Sequence, residues 1–307
     1  MWEQSHFNGY SVPWRVAKHY GEPSNEDVQD GDILMATFWP TVYWGNSLSA
    51  AKGKRVYLVQ GDEGRVFSHR SQADASYRFP YLQVCVSKWV AEEVRKRHPE
   101  ARQVIIQNAV DTHAFQSPVN SASREFRVGF MYSGKSFKGA DIAISALKLA
   151  RLRVPSLQAE VFGTDVPRGL PHWFNSSVRP VQSELPRIYS RCRVWLFPSR
   201  FEGFGLPILE AMACGTPVIA TPAGAAPELV RDGGGILVPH DDPQAMADAI
   251  VRVCEMSANE WKCMSTNAIN LASSYTWDDA ADHLEAVLLS EVEDPPCLKF
   301  KASESRE

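Results

Sequence analysis

The sequence predicts an α/β protein built from two parallel-sheet domains that face each other across a cleft. Three observations lead there. Short β-branched runs alternate with helical patterns through both halves of the chain, an order that makes parallel sheets covered by helices. Residues 107–125, with Pro118 and several small polar residues, interrupt that alternation as a linker would. A chain of 307 residues is long enough for two cores of ordinary size, and its 44% apolar and 22% charged content is that of a globular protein.

The expected domains are residues 1–115 and 116–290, followed by a polar tail at 291–307. In the first, "DILMAT", "KRVYLVQ", "LQVCVS" and "QVIIQN" read as buried strands. "SKWVAEEVRKRH" reads as a helix with Ser87 as its N-cap. In the second, "FRVGFMY", "LQAEVFG", "RVWLFPS", "PVIATP" and "GGILVP" read as strands. Helices are expected near 140–152, 206–214 and 243–255, and twice more between 259 and 290. Parallel sheets place ligands at the carboxyl ends of their strands, in the cleft.

Several function classes are excluded at this level. A net charge of −4 offers no electrostatic footprint for nucleic acid. The six cysteines are scattered without a C-x-x-C pair, so they read as small buried hydrophobes and not as a metal or disulfide framework. No metal site is expected. The N-terminus lacks the apolar core of a signal peptide, and no run is long enough to span a bilayer. The reading is cytoplasmic, with peripheral contact at the inner face of a membrane as the alternative. Arg95-Lys96-Arg97-His98 reads as a solvated helix end, and His69, His113 and His172 read as ordinary surface.

Two stretches carry chemistry. "VGFMYSGKSFKG", residues 128–139, has the G-x-x-x-x-G-K-S spacing of a nucleotide-binding P-loop. In a P-loop the helix starts at the Lys-Ser pair, yet here Gly139 would fall in its first turn and the helical period begins later, at Ile142. A P-loop NTPase also needs a strand ending in an acid for magnesium; of the candidates only "VFGTD" offers one, beyond a Gly-Thr break. What remains is an anion site made of Ser133, Gly134, Lys135 and Lys138 at the start of a helix. "SRFEGFGLPILEAMACGTPVIAT", residues 199–221, runs from a strand through a loop into a helix opened by Pro207. Gly203 and Gly205 are expected to admit a diphosphate close to the amides of Phe204, Gly205 and Leu206. Glu202 and Glu210 stand eight positions apart, and a carboxylate there can accept two hydrogen bonds from the vicinal hydroxyls of a ribose.

"EGFGLPILE" followed by "AMACGTPVIAT" resembles the E-x7-E signature of retaining glycosyltransferases of family 4, which have the GT-B fold. "VCVSKWVAEEV", "QNAVDTHAF", "ELPRIYSRCRVWLFPS", "DGGGILVPHDDPQAMADAI" and "YTWDDAADHL" are similar to the same family, over roughly residues 32–290. The resemblance implies two Rossmann-like domains. It also implies a nucleotide-diphosphate sugar as donor, a glycan or lipid-linked acceptor, retention of anomeric configuration and no cofactor. By it Lys138 and Glu202 are the catalytic residues and Glu210 holds the ribose. Ser133, Gly134, Lys135, Phe204, Gly205 and Leu206 complete the donor site. This chain departs from the family in three places. Lys135 stands in for an arginine before the phosphate lysine. Thr37 and Gln60 occupy positions where a histidine is usual. The N-terminal domain is short, lacking the usual first strand and glycine-rich loop. A donor-binding relic and a sugar-nucleotide epimerase are the rival readings, the latter weakened because no acid/base pair accompanies the sugar site.

Overall fold

The computed structural model describes residues 21–66, 69–116, 126–167 and 169–293. The N-terminal domain runs β1 (Ile33–Ala36), α1 (Trp39–Ser47), β2 (Lys54–Val59), α2 (Glu63–Val66), α3 (Arg70–Ser76), β3 (Leu82–Cys85), α4 (Lys88–Arg97) and β4 (Gln103–Ile105). Its four strands pair in parallel in the order β1-β2-β3-β4. The C-terminal domain begins with β5 (Arg127–Tyr132), α5 (Ala140–Arg153), β6 (Gln158–Gly163), β7 (Phe174–Val178), α6 (Leu185–Ser190) and β8 (Val194–Phe197). It continues through α7 (Leu206–Ala213), β9 (Val218–Ala220), α8 (Ala226–Leu229), β10 (Gly235–Leu237), α9 (Pro243–Glu255), α10 (Ala258–Ser273) and α11 (Trp277–Glu293). Its six strands are also all parallel, in the order β10-β9-β8-β5-β6-β7.

Strand alternation sorts the core to two faces. Along β8, Val194 and Leu196 join the cluster covered by α5 and α9, whereas Trp195 and Phe197 join the cluster of α6, α7 and α10. Each large apolar side chain buried this way contributes about 1.5–3 kcal/mol. The second cluster runs on into the N-terminal domain through Tyr57, Val59 and Val86. The two domains therefore share apolar packing at their seam. Polar contacts add to it: Gln107 Nε2 donates to Glu228 Oε2 at 2.9 Å, and the Val110 amide to the Tyr275 carbonyl at 3.3 Å.

Nine strands lie where the sequence put them; β7, "FNSSV", was not anticipated. Ser87 caps α4, its hydroxyl accepting the Val90 amide at 3.2 Å. Cys85, Cys192, Cys214 and Cys254 are buried, but Cys263 is exposed on the outer side of α10. The basic cluster is not uniformly a solvated helix end. Arg97 turns inward to chelate Asp62, with Nη2–Oδ1 at 2.8 Å, and also meets Asp74 at 2.7 Å. Helix α11, counted with the C-terminal domain on sequence grounds, crosses back. Its Ala280, Leu284, Val287 and Leu288 cover the face of the N-terminal sheet formed by Val56, Leu82, Val84 and Ile106. Residues 117–125 of the linker, most of the polar tail and Cys297 lie outside the described residues.

Candidate active site

The strand order of the C-terminal sheet reverses between β8 and β5, which pair directly through Val128–Val194 and Phe130–Leu196. Such a switch point opens a crevice beyond the carboxyl ends of the two strands. Both chemistry-bearing stretches emerge there: Ser133–Gly139 follows β5, and Ser199–Gly205 follows β8.

After β5 the chain makes a single 3-10 turn, Ser136–Lys138, and only then enters α5, with Gly139 as a left-handed N-cap at φ 66°. A side chain at Gly139 would put its Cβ 2.0 Å from the Pro198 carbonyl oxygen. The helix thus starts after the Gly-Lys-Ser run, not at it, so the stretch lacks P-loop geometry. Arg200 fastens this turn to the β8 loop. Its amide donates to the Phe137 carbonyl at 2.7 Å, and its guanidinium holds Asp141 at 2.9 and 3.1 Å and bonds the Ser136 carbonyl. The Asp141 carboxyl is held below its usual range mainly by that hydrogen bonding. Ser133 Oγ accepts the Lys135 amide at 3.3 Å, and the ammonium groups of Lys135 and Lys138 lie 5.8 and 5.6 Å from the Phe137 ring centroid.

From this turn Lys138 reaches the second stretch. Its Nζ meets Glu202 Oε1 at 2.7 Å, with the two side chains 22% and 13% exposed. Ser199 Oγ donates to the same oxygen at 2.8 Å. Helix α7 begins at Leu206 with Gly205 as its N-cap at φ 109°, and Pro207 stands within its first turn. The amides at that end have no partners within the helix and form a natural cradle for anions. Glu210, one turn further on, accepts the Tyr189 hydroxyl at 2.6 Å, and burial pushes its carboxyl above the usual range despite that hydrogen bond.

Gly203 has a different use from the one expected. A Cβ there would stand 1.7 Å from the Gln60 carbonyl oxygen and 3.2 Å from Gly61 Cα. The space that the missing side chain leaves is filled by the N-terminal domain, not by a ligand. Ser87 Oγ reinforces the seam by donating to the Gly203 carbonyl at 2.6 Å. Beside it opens a cavity of about 450 Å³, lined from the N-terminal side by Thr37, Phe38, Gln60, Asp62, Glu63, Arg65 and Trp89. Phe137, Phe201, Glu202 and Gly203 close it from the other. Gln60 and Thr37 do reach the cleft, with Gln60 Nε2 donating to the Thr37 carbonyl at 3.2 Å. His69, His113 and His172 are exposed and do not line it.

Glu63, Arg65, Trp89, Arg200 and Tyr189 were missed by sequence reasoning. For Glu63 a signal existed: "VQGDEG" places paired acids just beyond a buried strand, where cleft residues sit. For Tyr189 and Arg200 none did, since their partners are distant in sequence. Among the described residues, no group of three or more His, Cys, Asp or Glu side chains is placed to hold a metal ion, and no helix is long and apolar enough to cross a membrane.

Residues 126–256 match the family described as glycosyl transferases group 1. An O-antigen chain mannosyltransferase B of Escherichia coli is 30% identical over 162 residues, which is 50% of this chain and 42% of that protein. A D-inositol 3-phosphate glycosyltransferase of Mycobacterium avium is 30% identical over 80% of this chain and 63% of its own length. The chain thus spans less than two thirds of these relatives. Among solved structures, Anabaena HepE in complex with UDP and glucose superposes with a TM-score of 0.71 at 22% identity, over 84% of this chain and 78% of HepE. Sucrose-phosphate synthase from Thermosynechococcus elongatus gives 0.70 at 19%, over 84% and 73%. With its two parallel-sheet domains, the chain has the GT-B fold of these glycosyltransferases.

Proposed function

We propose that this protein is a retaining, metal-independent glycosyltransferase of family 4 that moves a hexosyl group from a nucleotide-diphosphate sugar to a glycan or lipid-linked glycan. The reading places the reaction in the cytoplasm or at the inner face of a membrane. The observation that carries it is the Lys138–Glu202 pair, 2.7 Å apart at the switch point beside the start of α7. The match over residues 126–256 and the likeness to HepE support the same reading.

In this reading the groups fixed at the switch point act on the departing diphosphate. As the bond between the sugar C1 and the diphosphate oxygen breaks, negative charge grows on the departing diphosphate. Lys138, Lys135 and the amides of Phe204, Gly205 and Leu206 are fixed before the reaction and stabilise that charge without reorganising. Glu202, oriented by Lys138 and Ser199, contacts the transferred sugar, and Glu210 accepts the ribose hydroxyls. The acceptor oxygen attacks C1 from the face the diphosphate leaves, and its proton passes to the departing diphosphate oxygen. No separate base is required.

The test is incubation of the purified chain with UDP-, GDP- and dTDP-sugars in the presence of EDTA, with products resolved by NMR. Transfer or slow donor hydrolysis with retained anomeric configuration is expected. An inverted product would refute the retaining mechanism, loss of turnover in EDTA would refute metal independence, and no turnover of any donor would refute the enzyme.

A further inference from the structure

The N-terminal wall of the cleft has a charge pattern that the donor does not use. Three ionisable side chains line it: Asp62, Glu63 and Arg65. Arg65 is the wall's cation, and it is already neutralised by Asp62 at 3.0 Å and by Glu93. Its guanidinium lies between two aromatic rings, 6.0 Å from the Trp89 centroid and 5.5 Å from that of Phe201. Asp62, 3% exposed, is engaged by Arg97 as well. Glu63 differs. It is 6% exposed and lines the cavity, yet both hydrogen bonds of its side chain fall on one oxygen. Oε2 accepts the Trp39 amide at 2.7 Å and the Tyr57 hydroxyl at 2.9 Å. Among the described residues Oε1 has no hydrogen-bond partner.

An acceptor oxygen on a residue that lines the cavity, with no protein donor on it, is free to take a hydrogen bond from a ligand. Hydroxyls donate one; phosphates and carboxylates at neutral pH do not, and would meet like charge with no spare cation on this wall. Lys138, across the cleft, is bound to Glu202. Beside Thr37, Gln60 and Glu202, the lining is largely aromatic, from Phe38, Trp89, Phe137 and Phe201. Aromatic faces suit the apolar side of a sugar ring, and a volume of about 450 Å³ holds one or two rings.

We infer that the acceptor is an uncharged sugar residue, held by hydroxyl donation to Glu63 Oε1 against the aromatic wall, and that phosphorylated acceptors are rejected there. Glu63 is then a specificity-determining residue. The inference rests on the proposed glycosyltransferase reading, but its test does not need turnover. Binding to the full chain, saturated with UDP, is followed by tryptophan fluorescence and by saturation-transfer NMR. The probes are methyl α-D-mannopyranoside, methyl α-D-glucopyranoside, mannose 6-phosphate and inositol 3-phosphate. At least one neutral glycoside is expected to bind tenfold or more tightly than either phosphate. In Glu63→Gln that preference shrinks by about tenfold, the scale of one hydrogen bond to a charged group. A merely structural role would leave the neutral-to-anionic ratio unchanged, so an unchanged ratio in a folded Glu63→Gln overturns the inference. The wild-type comparison needs no variant: tighter binding of either phosphate, or no binding of neutral glycosides, overturns it too. Glycoside binding without turnover of any donor would uphold this inference while refuting the enzyme. Turnover that favours phosphorylated acceptors would do the reverse.

Discussion

Replacing Gly203 with alanine adds one methyl group at the point where the two domains touch. The new Cβ would stand 1.7 Å from the Gln60 carbonyl oxygen and 2.8 Å from its carbon, whereas ordinary contact begins near 3.4 Å. Both obstacles are backbone, so no rotamer relieves them, and the domains must part locally by about 1.7 Å. The Ser87–Gly203 hydrogen bond, 2.6 Å long, breaks at that separation and costs about 1 kcal/mol of stability. Catalysis is hit harder. A misplacement of about 1 Å between reacting groups costs on the order of 100-fold in rate. In the proposed reaction acceptor and donor are held by opposite domains, so kcat should fall by about that factor. Donor affinity should change less, since Lys138, Glu202, Glu210 and the α7 amides all belong to the C-terminal domain. Steady-state kinetics with the donor found active, beside thermal unfolding, separates the two effects. Gly31→Ala, where a Cβ meets nothing within 4 Å, is the control. Wild-type kcat in Gly203→Ala would show that catalysis does not depend on the closed seam.

Three further outcomes follow from the geometry. Lys138→Ala should lower donor turnover by about 10²–10³, the usual loss for one preorganised charge-stabilising group; a loss under threefold would remove the lysine from the mechanism. Because burial raises the folded carboxyl of Glu210 above its ordinary value of 4.5, the folded state binds more protons than the unfolded chain between those two values. Stability attributable to Glu210 is therefore greatest at low pH and is lost as pH rises through the raised value. In thermal unfolding against pH, Glu210→Gln should flatten that part of the profile. Nucleotide affinity of the wild type should strengthen over the same window, as the ionised carboxylate begins to accept the ribose hydroxyls, and calorimetric titration reads it directly. Finally, Gly129→Ala would drive a Cβ to 2.2 Å from the Trp195 ring and 2.7 Å from Cys192 Sγ in a closed core. Overpacking of this kind costs about 1–3 kcal/mol, measurable by denaturant unfolding.

The parts of the molecule legible in the sequence are those whose constraints are local. Strands β1 to β6 and β8 to β10 are short runs of β-branched and apolar residues because helices or the seam cover them. β7, "FNSSV", carries no such run: it is the sheet's edge and three of its five side chains are exposed. α1, "WPTVYWGNS", hid for another reason, since its aromatic residues are spread around the helix and leave no apolar stripe. The phosphate turn and the α7 loop could be read because a lysine, glycines and glutamates stand there in one short span each. On the opposite wall Glu63 and Arg65 belong to α2 and Trp89 to α4, and only Glu63, in "VQGDEG", stood beside a local signal; the wall itself forms only in the fold. Gly203 shows how such a reading goes astray. A glycine beside an anion cradle suggested room for the diphosphate, but the room is taken by another stretch of backbone 140 residues earlier in the chain.

The return of α11 to the N-terminal sheet bears on how the chain is made. The sheet face of Val56, Leu82, Val84 and Ile106 is complete in sequence once β4 has been synthesised, but its cover, Leu284 and its neighbours, follows some 180 residues later. At translation rates of about 5–20 residues per second, that face waits roughly ten to forty seconds on the ribosome with its apolar surface uncovered. The C-terminal domain has all of its own strands before then and can fold first. The N-terminal sheet, made before the C-terminal one, is thus the last of the two to be covered.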